Sequence, residues 1–152
     1  ESMTAKELWL AQVRSYGGSL EWASNCMKED KDVVLAAVQQ QGLALKFAHE
    51  ALKKDKDVVL AAVRSDCHLV ISHAASTLQE DSDVWIAAVQ TDVWISKGTV
   101  HETFGRETWS IRTYPYVNET MWYDKDFVLF MVNKCGMNLK WAADGMKEDK
   151  DV

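Results

Sequence analysis

The chain has a single proline, Pro115, in 152 residues. So few breaks, with an apolar fraction of 47%, suit a helical globular protein and exclude a disordered or proline-rich one. Its three cysteines, Cys26, Cys67 and Cys135, are far apart and form no CxxC pair. That excludes a disulfide framework and a zinc pattern. Buried or half-buried free thiols in a reducing intracellular or organellar compartment are expected. No apolar run is long enough to span a bilayer, so membrane insertion is not expected. Basic runs are also missing: the net charge is −6, from 23 acidic and 17 basic residues. This balance argues against nucleic acid or an anionic membrane as the main partner. No signal or transit segment is visible, although a chain opening at Glu1-Ser2-Met3 could have lost one. Without a signal peptide, Asn118-Glu119-Thr120 is expected to be a chance match to a glycosylation acceptor.

Chemistry-bearing constellations are missing as well. There is no glycine-rich phosphate loop, and the Asp-x-Asp pairs lack the glycine and distal glutamate of a calcium loop. His68 and His73 are not at the spacing that shares a helical face. Cys67 adjoins His68, but catalytic pairs meet in space, so adjacency is no evidence. No catalytic residue, metal site or cofactor is expected, and the chain is read as a non-enzyme.

What the chain does have is repetition. The segment DKDVVLAAVQQQGLALKFAHEALKK at 30–54 is followed at once by DKDVVLAAV from Asp55. Aligning the opening residues Asp30, Asp55, Asp81, Asp124 and Asp149 gives a period of about 25 residues, with one longer step. The units lie near 5–29, 30–54, 55–80, 81–123 and 124–148, and a truncated unit opens at Asp149, all within one repeat domain spanning 1–152.

Each unit reads as two short helices. The opening Asp caps the first by accepting a backbone N–H, and a second acid, such as Asp32 or Asp57, suits the positive end of its dipole. The remaining acids are expected to form a solvated edge at the repeat joints. Val33, Val34, Ala37 and Val38 give the helix an apolar face, widened by Leu35 and Ala36. Gly42, with Gly17 and Gly136 in the same slot, is expected to end that helix in a left-handed conformation. The second helix is predicted from Leu43 to Lys53, with Leu45, Ala48 and Leu52 inward. Trp22, Phe47 and Trp141 share one of its slots, joined by His73; Trp9 and Trp85 share the slot of Val34, Val59 and Val128. Both slots are expected to be core. Alanines at 36, 37, 61, 62, 87 and 88 permit close approach, whereas Phe130-Met131 predicts different packing after the longer unit. One hairpin cannot bury its own face, so the fold class is all-α: stacked helical hairpins, an α-solenoid-like repeat.

The pattern breaks over an insertion at about 91–112. It is rich in Thr, Val, Trp and Phe, and Gly105-Arg106 suits a two-residue turn, so a β-hairpin or an ordered loop is expected. The insert either caps the stack or binds a partner. Candidate partner-binding residues are Trp94, His101, Phe104, Arg106 and Trp109, together with Trp122, which stands in the slot of Lys53, read as a solvent position.

The motif DKDVVLAAV…G-x-A-L-x-x-A-x-x-x-L-K, carried by Asp30–Asp57 and Asp55–Val63, resembles the tandem repeats of the domain-of-unknown-function 4116 family. Weaker copies lie at 5–29, 81–89 and 124–148. The resemblance implies an all-α repeat and an expectation of binding, and it supplies no catalytic residues. The function read from the sequence is a non-catalytic scaffold for protein–protein interaction, as an accessory subunit of a larger complex. The alternatives are a repeat region attached to or regulating an enzyme domain outside this chain and, more weakly, a small-ligand or pigment cleft lined by tryptophans.

Overall fold

The computed structural model describes residues 3–66, 68–91, 119–134, 139–140 and 142–150. They are mostly helical, and no strand occurs among them. The first unit contains α1 (Ala5–Ser15), a 3₁₀ helix η1 (Gly17–Trp22) and α2 (Asn25–Glu29). The same triplet follows as α3 (Lys31–Gln40), η2 (Gly42–Phe47) and α4 (Glu50–Lys53). It recurs as α5 (Lys56–Ser65), η3 (His68–His73) and α6 (Ser76–Gln79). Then come α7 (Ser82–Thr91), η4 (Glu119–Tyr123), α8 (Lys125–Lys134) and α9 (Asp144–Lys147).

The long helices start where the carboxylates predict. Asp30 accepts from the backbone N–H groups of Asp32 and Val33 at 3.0 and 3.2 Å. Asp55 and Asp81 do the same for their own helices, and Asp124 accepts from Phe127. In the first unit a Thr4–Glu7 capping box replaces the Asp. Neighbours along the chain of long helices pack side by side: α1 on α3, α3 on α5, α5 on α7, and α7 on α8. Their buried faces are the valine and alanine positions Val33, Val34, Ala37 and Val38 and their equivalents in α5 and α7. In α8 the slot of Val33 holds the fully buried Phe127, and Met131 replaces the small alanine. The bulkier packing expected there is present.

A charge ladder sets the register. Lys6 reaches Asp30 and Asp32 of the next unit at 2.9 and 2.7 Å. Lys31 reaches Asp55 and Asp57 at 2.6 and 3.5 Å, and Lys56 reaches Asp81 and Asp83 at 2.8 and 2.7 Å. Lys125 repeats the contact on Asp149 at 2.8 Å. In the fourth unit Ser82 stands where the lysine should be, so that residue cannot extend a cation toward Asp124. At the opposite ends, the Ser65 hydroxyl donates to the Gln39 carbonyl at 3.0 Å. N-terminus therefore meets N-terminus and C-terminus meets C-terminus, so α3 and α5 run in the same direction. Such exposed pairs are individually weak and screened by salt. Their value lies in register.

Several expectations need correction. The second helix predicted over Leu43–Lys53 is broken. Ala48 and His49 are extended, with ψ of 153° and 148°, between η2 and α4. The break frees the His49 N–H to donate across the joint to the Lys28 carbonyl at 3.1 Å. Ala75 donates likewise to Lys53 at 3.0 Å, and Ala143 to Trp122 at 3.1 Å. An intrahelical bond is exchanged for one that ties consecutive units together. Gly17 and Gly42 do not end helices in a left-handed conformation; each opens a 3₁₀ helix. A Cβ on Gly17 would strike the Ala37 carbonyl, and one on Gly42 the Ala62 carbonyl, both on the following long helix. These glycines are required by close approach. Cys26, expected to be at least half-buried, is an exposed free thiol. Of the joint acids, only the second of each pair is solvated: Asp55 is tucked in while Asp57 is largely exposed. The insertion expected as a β-hairpin or loop, and Gly136 and Trp141, lie outside the described residues.

Candidate protein-binding face

A 3₁₀ helix has three residues per turn, so residues three apart share a column, and one column points fully inward. In η1 that column is Gly17, Leu20 and then Ala23; in η2 it is Gly42, Leu45 and then Ala48, all buried. The equivalent residue in η3, Ile71, is buried too. The other columns are mixed: Ser19, Ala44 and Val70 are buried, whereas Trp22, Lys46 and Leu69 are exposed. η1 packs on η2, and η2 on η3, so the 3₁₀ helices form a layer of their own beside the long helices.

In this layer the slot expected to be core is open at Trp22 and half-buried at Phe47 and His73. Trp22 is 78% exposed and Tyr16, just before η1, is 60% exposed. Phe47, in the slot of Trp22, is half-buried against the core, as is Trp9 in the other slot. Trp85, by contrast, is buried, as its slot predicts. Between η1 and η2 lies a groove of about 160 Å³ lined by Tyr16, Trp22, Leu43 and Phe47, with Glu21 and Lys46 on its two walls. The Tyr16 ring lies over Gly18, where a Cβ would collide with it. Lys46 Nζ sits 4.5 Å from the centroid of the Phe47 ring, a cation–π contact. Burial, and then the charges of Lys46 and Lys53, hold the His73 imidazole below its ordinary range. Lys46 thus places one positive charge on the groove wall, whereas Lys53 is paired with Glu50 at 2.8 Å.

A larger depression of about 550 Å³ lies on the long-helix side, between Leu10, Arg14, Leu35 and Gln39. It carries no aromatic ring, and its rim is polar. Volume alone does not mark a binding surface. Clustered exposed aromatics do, since Trp and Tyr are the side chains that dominate interface energetics.

Of the residues singled out from sequence, Trp94, His101, Phe104, Arg106 and Trp109 lie outside the described residues. Trp122 is corrected: it is 6% exposed and meets the Phe127 ring edge-on, centroids 5.4 Å apart. Its slot is not a solvent position, because the equivalent Lys53 side chain is itself only 17% exposed. Tyr16, Trp22 and Lys46 are surface residues, and Leu43 a half-buried groove residue, that the sequence reading does not single out as candidates. One signal could have found them: a slot that holds Trp, Phe and His in successive units is not selecting for a core. Among the described residues no three His, Cys, Asp or Glu side chains are grouped as metal ligands, and no helix is long and apolar enough to cross a membrane.

The family model of a domain of unknown function (DUF4116) matches the chain twice, over residues 6–53 and 30–79. The overlapping matches follow the repeat seen in the first three units. No curated protein and no solved structure matches the chain.

Proposed function

We propose, from the premise that residues 6–79 form a tandem repeat resembling DUF4116, that the chain is a non-catalytic helical-repeat scaffold that binds a protein partner through its 3₁₀ layer. In this reading the units stack as a short α-solenoid. The long helices, held in register by the lysine–aspartate ladder, form the rigid back, and the 3₁₀ helices form the working face. The observation that carries the reading is the exposure of Trp22 beside Tyr16 at the groove between η1 and η2. A large ring left in water gains nothing for the fold, whereas its burial by a partner is favourable by about 25 cal/mol per Å² of apolar surface covered. The candidates Trp94, His101, Phe104, Arg106 and Trp109 belong to the same proposal as a second contact region.

The test is cross-linking mass spectrometry of the tagged chain in its native host, compared with a Tyr16→Ala/Trp22→Ala variant of unchanged helicity. The expected result is a protein cross-linked near residues 16–47 in the parent and lost in the variant. Identical cross-links in both, or none to this face, would overturn the reading.

A further inference from the structure

We propose that the groove between η1 and η2 takes an extended peptide segment with one apolar anchor side chain and a carboxylate beside it on the η2 side. This rests on the scaffold reading and names the chemistry of its partner. Three observations carry it.

The first is size. At about 160 Å³ the groove matches an engineered cavity of about 150 Å³ that holds one benzene. It accepts a single side chain, not a helix laid along its length. Tyr16 and Trp22 flank it as rings that can close over that side chain. The second is charge. The ladder lysines Lys6, Lys31, Lys56 and Lys125 have carboxylate partners within ion-pair distance. Among the described residues Lys46 has none; its Nζ rests on the Phe47 ring at the groove wall. Lys53 is already paired with Glu50 at 2.8 Å, so among the described residues the groove's free cation is Lys46. A carboxylate arriving there would pair with a cation that the fold leaves uncommitted. The overall charge of −6 repels a polyanion while leaving this local spot intact, which favours a peptide carboxylate over a nucleic-acid backbone. The third is an unfinished polar wall. Gln41 lines the groove, and its Oε1 is buried without a hydrogen-bond partner. Turning that side chain toward an N–H of a bound backbone would satisfy it.

A random peptide library displayed on phage is selected on the immobilised full chain, and the enriched peptide is synthesised and titrated by fluorescence anisotropy. The expected motif is an apolar residue with Asp or Glu next to it. Trp22→Ala is expected to weaken that peptide by about tenfold or more. Lys46→Glu should weaken it similarly and should favour a version of the peptide with Lys in place of the acid. A 12-nucleotide oligouridylate serves as the competing probe. Enrichment of basic peptides, equal binding by Lys46→Glu, or tighter binding of the oligonucleotide would overturn the proposal. If no peptide is enriched but native cross-links still depend on Trp22, the acidic-peptide chemistry fails and the scaffold reading stands. If the cross-links fail too, both fall.

Discussion

Trp85 and Trp22 are the same residue in two layers of one molecule. Trp85 stands in a long helix, 3% exposed, with its indole N–H donating to the Gln79 carbonyl at 2.8 Å. Trp22 stands in a 3₁₀ helix, 78% exposed. An α-helix with neighbours on both sides buries a broad stripe, because residues three and four apart share a face. The 3₁₀ helices bury the column of Leu20 and Leu45 and only part of the next one: Ser19 and Ala44 are inside, Trp22 is not. Both layers therefore supply core, but the long helices bury the broader face and the 3₁₀ helices leave Trp22 open to solvent. The contrast breaks most easily at its buried end. Trp85→Ala is expected to cost about 3–5 kcal/mol, as large-to-small core changes do. Urea unfolding would read it, and a cost below about 1 kcal/mol would mean the long-helix layer is not the core.

The stack was legible from sequence because its signals are local. Asp30, Asp55, Asp81 and Asp124 announce their own helices, and the slot of Val34, Val59, Trp85 and Val128 repeats with helical spacing. The 3₁₀ layer was not, because its determinants are not local. Nothing in Ala48-His49 marks a break; what holds it open is a bond from His49 to Lys28, in the preceding unit. Gly42 looked like a helix stop because close approach to a later helix leaves no trace beyond the glycine itself. Trp22 reads as core because its slot also holds Phe47 and His73, which are half-buried where Trp22 is not.

The glycines sharpen the comparison at the seam between the layers. At Gly42 a Cβ would meet the Ala62 carbonyl and the Asp66 Cβ, neither of which can swing aside cheaply. Gly42→Ala is expected to destabilise by about 1–3 kcal/mol, the range for overpacking. Gly145 is the control: it lies in α9 with nothing within 4 Å of a Cβ. Gly145→Ala should be neutral or stabilising by up to about 1 kcal/mol through helix propensity. Parallel thermal melts of the two variants make the check, and equal effects would show that η2 does not press on α5.

A smaller effect is expected at the joints. Asp55→Ala removes an N-cap, a loss of about 0.5–2 kcal/mol, and also the partner of Lys31. The Lys31 hydrogen bond, then backbone N–H groups and nearby charge, hold the Asp55 carboxyl below its ordinary value of 3.8 against the opposing effect of burial; Lys6 does the same for Asp30. Because the folded pKa is depressed, the stabilisation is complete above the unfolded value. It is lost as pH falls through the folded one. Unfolding midpoints should therefore decline on acidification below about pH 4, less steeply in Asp55→Ala than in the parent. High salt should remove the lysine share and leave the cap.

Trp22→Ala closes the series with the least change in stability. A side chain this exposed has little burial to lose, so the expected shift is within about 0.5 kcal/mol, an order of magnitude below Trp85→Ala. The two tryptophans then separate fold from display by experiment. If Trp22→Ala unfolds with the parent's midpoint yet loses cross-links at residues 16–47, the ring is retained for something outside the chain. If it costs about 2 kcal/mol or more, Trp22 is covered within the molecule in solution. Phe47→Ala should fall between these limits, since that ring is half-buried and carries Lys46 above it. An ordering of Trp85, Phe47 and Trp22 by stability cost that follows their burial would mean the open groove is a property of the folded chain, and a partner would be needed to cover it.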